Sequence, residues 1–184
     1  FELIKANTIG KLRGLTEFRK ALNYVALTYP NSPEGKEAES LLGTQIATLD
    51  KLQFSNSVTS NWKILYRSKS PDDKNTKVLQ EKIKKFLADR KLGTITTSYD
   101  IYTETDNFVA LHGLQSEEYA KGIASILKEF KEYKVADVPI IISGQNYEIV
   151  QMKKNMDLYL TNPPMNVLSV TEQIPFTAPP PSTV

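Results

Sequence analysis

Cysteine is absent from the 184 residues of the chain, and histidine occurs once. The first absence excludes disulfides, thiolate zinc sites and cysteine nucleophiles. The second means that any Ser-His-Asp arrangement would have to use His112, which lies in the β-rich run VALHGL. A histidine in a strand is typically a surface or half-buried packing residue, so we assign His112 no catalytic role.

Glycine is also too scattered to form a phosphate-binding loop, because the eight glycines occur singly along the chain. Acidic residues pair at Asp72/Asp73 and at Glu117/Glu118, in what we predict to be the first turns of two helices. In that position they complement the helix dipole rather than bind a metal. We therefore predict no catalytic residue, no metal site and no cofactor.

No excess of charge and no long apolar run is present. Lys and Arg number 23 against 21 Asp and Glu, a net charge of +2, so we expect no nucleic-acid partner. The most apolar run, Val138 to Ile142, is far shorter than the ~18 residues of a membrane-spanning helix. The sequence begins at Phe1 without a signal segment, and we expect it to be part of a longer chain.

Three helices are predicted at the N-terminal end, because apolar residues recur at helical spacing in residues 2–13, 16–29 and 33–49. Thr16 is a suitable N-cap for the second helix, and Ser32 is one for the third. Helices joined by such short turns are typical of the end of a tetratricopeptide array, with one helix pair and a solvating helix. An ordinary helical hairpin is the alternative.

The following segment has the element order β, α, β, β, α, β, α of a split βαβ unit with one extra helix. Its strands are predicted in WKILYRS, TITTSYDIY, NFVALHGL and VPIIIS. One helix is predicted to begin after an N-cap at Ser70 and another after Ser116, and a last helix runs from about Gln145 to Leu160. This is the ferredoxin-like arrangement, in which two helices cover one face of an antiparallel sheet.

The other face of that sheet has two possible uses. An apolar stripe on the last helix could cover it, or the face could bind a partner. The stripe consists of Ile149, Met152, Met156 and Tyr159. The strand aromatics, in contrast, are expected in the core or half-buried rather than on a ligand platform; they are Trp62, Tyr66, Tyr99 and Tyr102.

The fold class is therefore α+β. We predict tetratricopeptide-like helices in residues 1–54, a linker in 55–61, a ferredoxin-like domain in 62–162 and an extended proline-rich tail in 163–184. The tail contains APPP, which favours polyproline II, a conformation that proteins recognise as a ligand. Its predicted partner-binding residues are Ile174, Pro175, Phe176, Pro179, Pro180 and Pro181.

A family resemblance rests on two stretches, FRKALNYVALTYPNSPEGKEAESLL and VPIIISGQNYEIVQMKKNMDLYL. With them the chain resembles the C-terminal region of the Bacteroidetes tetratricopeptide lipoproteins of gliding motility and type IX secretion, the SprE/PorW kind. The resemblance covers most of residues 1 to 162 and is one of pattern and element order. Its most particular part is ISxxNY followed by a helix that ends in LYL.

The resemblance implies a periplasmic protein held at the outer membrane through a lipidated N-terminus outside this chain. It implies a non-enzymatic scaffold or adaptor of the type IX secretion and gliding motility machinery, with protein partners in an outer-membrane complex. The alternative hypothesis is a peptidoglycan-binding module similar to sporulation-related domains. An enzyme is disfavoured by the missing nucleophile, metal and phosphate-binding groups.

Overall fold

The computed structural model describes residues 1–164 and has an α+β fold. Its helices are α1 (Glu2–Arg13), α2 (Leu15–Thr28), α3 (Pro33–Leu41), α4 (Ala47–Asp50), α5 (Lys74–Asp89), α6 (Glu117–Glu129), α7 (Gly144–Lys153) and α8 (Met156–Thr161). Its strands are β1 (Trp62–Ser68), β2 (Thr96–Ile101), β3 (Asn107–Leu114) and β4 (Ile140–Ser143).

The N-terminal helices follow the predicted pattern, with one error at a helix start. The Ser32 side chain caps α3 by accepting a hydrogen bond from the Gly35 N–H at 3.0 Å, as predicted. Thr16 does not cap α2, because the helix already begins at Leu15 with Gly14 at the N-cap. Gly14 adopts φ +87°, which lets α1 and α2 follow each other with a single residue between them.

The third predicted helix is interrupted by a π-helical turn over Leu42–Ile46, between α3 and α4. Threonine hydroxyls near this turn bond back to main-chain carbonyls: Thr44 Oγ1 donates to Ser40 O at 2.7 Å, and Thr48 Oγ1 donates to Thr44 O at 2.9 Å. Such a turn inserts one residue into the helix and shifts the side chains that follow it. Apolar periodicity alone does not reveal this insertion.

The strands form one antiparallel sheet in the order β2-β3-β1-β4. The β2-β3 hairpin and the position of Pro139 directly before the edge strand β4 are both as predicted. On one face, α5 and α6 bury their apolar stripes against the sheet, with Ile83, Phe86 and Leu127 fully enclosed. Amphipathic helices with polar outer faces account for this layer.

The second sheet face is covered by α7 and α8, which settles the two uses left open by the sequence. Met156 and Tyr159 of the predicted stripe pack here, while Tyr147 and Val150 replace Ile149 and Met152 in the contact. The strand residues beneath are completely buried: Leu65, Phe108, Ala110 and Ile142. Burial of each large one contributes roughly 1.5–3 kcal/mol, so the face is part of the core and not a free platform.

Two predicted helix boundaries in this part are wrong. Asp73, not Ser70, is the N-cap of α5, because its carboxylate accepts a hydrogen bond from the Thr76 N–H at 3.1 Å. Asp72 therefore precedes the helix and does not belong to its first turn. The last predicted helix is broken after Lys153, where Lys154 adopts the left-handed conformation (φ +54°) and separates α7 from α8.

Residues before β1 have no regular structure but are tied to α7 by paired hydrogen bonds. Asn146 Oδ1 accepts from the Ser55 N–H at 2.9 Å, and Asn146 Nδ2 donates to Ser55 O at 2.7 Å. The Phe54 ring packs edge-on against Tyr159 at 5.1 Å between centroids. The segment predicted as a linker therefore lies against the sheet unit at this point.

The N-terminal helices dock near the C-terminal end of α7 and on the turn between β2 and β3. Arg13 forms an ion pair with Glu104 at 2.8 Å, and Lys153 Nζ donates to the carbonyl of Leu52 at 2.6 Å. Gly14 packs directly against Lys154. The helices keep a separate apolar cluster around Leu22; the division of the chain into domains at residues 54 and 61 remains a prediction.

Substitution Gly14→Ala should destabilise the protein by about 1–3 kcal/mol. The new Cβ would meet Lys154 Cγ at 2.8 Å and Met152 O at 3.1 Å, and the left-handed conformation would be strained. Denaturant unfolding of both proteins measures the difference. Gly122→Ala in α6 is the control, because its Cβ meets open space and alanine should leave stability unchanged or slightly raised. Equal stabilities of wild type and Gly14→Ala would contradict the close packing at this position.

Candidate functional site

A groove of about 600 Å³ lies where the N-terminal helices meet α7, and we call it the joint groove. Its apolar walls come from both sides of this contact: Leu12, Leu15, Phe18, Leu49, Ile101 and Met152. Ile101 is 61% exposed, which is unusual for a large aliphatic side chain at the end of a strand. The volume lies within the range of small-ligand and peptide sites.

The polar members of the joint groove are amides, hydroxyls and two lysines, Lys11 and Lys154. Lys154 Nζ donates to Gln151 Oε1 at 3.3 Å and stands 4.9 Å from the centroid of the Tyr102 ring. Among residues 1–164, no acidic side chain forms an ion pair with it. Burial without a counter-charge lowers the pKa of Lys154 to about 8.

A chain of polar side chains runs across the second sheet face from β1 towards the joint groove. Lys63 Nζ lies 2.8 Å from His112 Nδ1, and His112 Nε2 lies 2.6 Å from Ser98 Oγ. Ser98 Oγ donates to Asp100 Oδ1 at 2.5 Å, and the Tyr147 hydroxyl donates to Asp100 Oδ2 at 2.7 Å. Gln151 then donates to the Tyr147 hydroxyl at 2.7 Å and accepts from Lys154.

The donors in this chain fix the tautomer of His112. A lysine ammonium only donates, so Nδ1 accepts from Lys63 and Nε2 carries the proton. Since Ser98 donates its own proton to Asp100, its oxygen accepts from His112 Nε2. Burial, and then the Lys63 charge, lower the pKa of His112 and keep the ring neutral at pH 7. For Tyr147 the direction is the opposite: burial, and then the hydrogen bond to Asp100, raise the pKa of its hydroxyl.

This order is the reverse of what a nucleophilic serine needs. In a Ser-His-Asp triad the serine hydroxyl donates to the histidine, and a carboxylate on Nδ1 stabilises the imidazolium that forms. Here Ser98 donates to Asp100, and Nδ1 faces a cation that disfavours the imidazolium. The arrangement can orient β2, β3 and α7 relative to each other, and it does not place His112 as a general base for Ser98.

Gly113 brings His112 into this chain. It adopts φ +84° beside the irregularity in the β1-β3 pairing, and a Cβ there would lie 2.5 Å from Thr94 O. The resulting bulge turns the side chain of His112 towards Lys63. A glycine after the histidine in VALHGL was the only sequence signal of this geometry, and it does not identify Lys63 as the partner.

The predicted partner-binding residues fall outside the part of the chain that the structure describes. Ile174, Pro175, Phe176 and Pro179–Pro181 lie outside residues 1–164 and so outside the described structure. The strand aromatics are buried or half-buried as predicted, with Tyr66 and Tyr102 in the core. Sequence reasoning missed Lys154 and Ile101, because single lysine and isoleucine residues carry no pattern that predicts a groove.

Within residues 1–164, His, Asp and Glu side chains form no cluster of three or more that could hold a metal ion. None of the helices in this range is long and apolar enough to cross a membrane. No protein-family model, curated protein or solved structure matches the chain.

Lys154→Met should raise the free energy of unfolding at pH 7, because methionine keeps the apolar stem and removes a half-buried charge. The folded-state pKa of Lys154, about 8, lies below the ordinary value of 10.5. The unfolded chain therefore binds the extra proton between these values, and wild-type stability rises with pH across this window. The advantage of Lys154→Met over wild type should shrink from pH 8 to pH 10.5 in denaturant unfolding. A stability advantage of Lys154→Met that does not change with pH would contradict the lowered pKa of Lys154. Lys128→Met, at an exposed position of α6, is the control and should leave the wild-type pH dependence unchanged.

His112 should show the Nε2–H tautomer at pH 7 and a titration midpoint below 6.5, its ordinary pKa, in nitrogen-detected NMR of the imidazole. A lowered folded-state pKa means that the unfolded chain binds the proton first, so stability should fall as pH drops below 6.5. Lys63→Met, which removes the cation at Nδ1, should raise the midpoint towards 6.5. An Nδ1–H tautomer in the wild type would contradict the proposed order of donors.

Proposed function

We propose that the chain is a non-enzymatic scaffold or adaptor for protein-protein interaction in the type IX secretion and gliding motility machinery at the bacterial outer membrane. The observation that carries the proposal is the joint groove, an apolar surface built by two packed units rather than a catalytic cleft. Surfaces of this kind on otherwise well-packed proteins mark sites of interaction. The family resemblance supplies the compartment, the periplasm, and the machinery.

The finer fold belongs to the same proposal. We take α1 to α4 as the tetratricopeptide-like end of an array and the sheet with α5 and α6 as a ferredoxin-like unit. The strand order β2-β3-β1-β4 supports the second part, because it is the order that a split βαβ unit produces. Apolar residues exposed on α1 and α2 support the first, because a neighbouring repeat would stack there; they include Ile4 and Leu27.

The polar chain through His112 also supports a non-enzymatic role. Both ring nitrogens are engaged, so His112 does not act as a base for Ser98, whose hydroxyl donates to Asp100 instead. Such a network, fully paired inside the fold, contributes to a single arrangement of the elements it joins. Under this proposal the single histidine of the chain has a structural role in that network.

The covered second sheet face weighs against the peptidoglycan-binding alternative. A sheet platform for glycan strands needs an open face, whereas α7 and α8 bury Leu65 and Phe108 on this one. Within residues 1–164, helical surfaces and the joint groove are among the exposed parts on which a partner could bind. Protein partners fit these surfaces better than an extended sugar chain.

Affinity purification of the tagged full-length protein from membranes tests the proposal. Mass spectrometry should recover outer-membrane secretion components, and a version ending at Asn162 should recover less of them if the tail residues Ile174 to Pro181 bind a partner. A control in which residues 165–184 are replaced by a Gly-Ser segment of equal length separates tail chemistry from tail length. Recovery of no membrane protein, together with sedimentation on purified cell-wall sacculi, would replace the adaptor with the glycan-binding module.

A further inference from the structure

The joint groove has a charge pattern that points to the chemistry of its ligand. Lys11 on α1 and Lys154 after α7 bring cations from both sides of the groove. No carboxylate lies among the described residues that line it. A half-buried ammonium without a counter-charge gains most from an anion that replaces water at the same place.

The walls around these cations are apolar, so the anion must be carried by an apolar body. Phe18 and Leu15 on one side and Ile101 and Met152 on the other would bury such a body. A free inorganic anion would leave these walls in water. Lys154 is half-buried in the wall of the groove, so a ligand charge beside its ammonium would be only partly screened by solvent.

Amide side chains decide between a lipid and a peptide. Asn7 and Gln45 also line the groove with exposed amides, and each offers both a donor and an acceptor. An alkyl chain laid over them would remove their water without replacing the hydrogen bonds. A peptide main chain presents N–H and C=O groups that satisfy both kinds of group.

We infer that the joint groove binds an extended, largely apolar peptide segment of a partner protein that places one acidic side chain against Lys154 Nζ. The inference rests on the proposed adaptor function and names the chemistry of one partner site. The segment lies between the N-terminal helices and α7, with its apolar residues against Phe18 and Ile101. Its binding couples the two units that form the groove.

The test uses the full chain and three libraries of acetylated, amidated heptapeptides. Their outer positions are drawn from aliphatic and aromatic residues, and the central residue is Glu, Gln or Lys. Affinity selection followed by mass spectrometry should enrich the Glu library about tenfold over the Gln library. Bound peptides should shift the NMR signals of Ile101 and Met152.

Variants connect this preference to the groove. Lys154→Met should abolish the preference for Glu over Gln, while Lys154→Arg should retain it because a cation remains. Ile101→Glu should weaken binding of every library, whereas Val138→Glu, at a side chain 81% exposed and outside the groove, should not. Lys128→Met is the control for loss of one positive charge.

Several outcomes would overturn the inference. Equal enrichment of Glu and Gln peptides, or a preference for Glu that persists in Lys154→Met, would rule out the proposed ion pair with Lys154. Binding of dodecanoate at the groove without binding of any peptide would make the ligand a lipid carboxylate. If no peptide binds but the full-length protein still recovers secretion components, the partner binds another surface of the protein. If peptides bind as expected but no secretion component is recovered, the groove is a peptide site in a protein of another function.

Discussion

Burial of the second face of the sheet is the constraint on which the rest of the structure depends. Leu65, Phe108, Ala110 and Ile142 place apolar side chains on the second face of β1, β3 and β4, and α5 and α6 cover only the first, so water would otherwise contact these residues. The C-terminal α7 and α8 cover it, and Asn146 on α7 then holds the segment before β1 through two hydrogen bonds. One requirement for apolar burial therefore places the last helices and orders the residues that lead into the sheet.

The end of α7 determines how the N-terminal helices are attached. Lys154 leaves the helical conformation to start α8, and its side chain lies against Gly14, the single residue between α1 and α2. The backbones at Gly14 and at the end of α7 approach each other closely, and the joint groove lies beside this contact. The Lys154 ammonium is half-buried in the groove. The position of the cation is a consequence of the packing, and an acidic ligand would supply the counter-charge that this half-buried ammonium lacks among residues 1–164.

The polar chain engages both ring nitrogens of the single histidine. Lys63 donates to His112, His112 donates to Ser98, and Ser98 donates to Asp100. Together with the joint groove, this arrangement is consistent with a protein whose chemistry is recognition. The proposed adaptor role uses surfaces that the packing creates, and the covered sheet face is not one of them.

The sequence by itself determined the elements and most of their order. Helical spacing, the Ser32 and Ser116 caps and the β-rich runs depend on neighbours along the chain, so they are readable locally. The π-helical turn, the break at Lys154 and the Asp73 cap were missed, because competing local signals were equally good. Only the tertiary structure decided which stripe covers the second face, that Gly113 aims His112 at Lys63, and that Lys154 lines a groove. These features depend on contacts between residues about 50 to 140 positions apart, which no local pattern encodes.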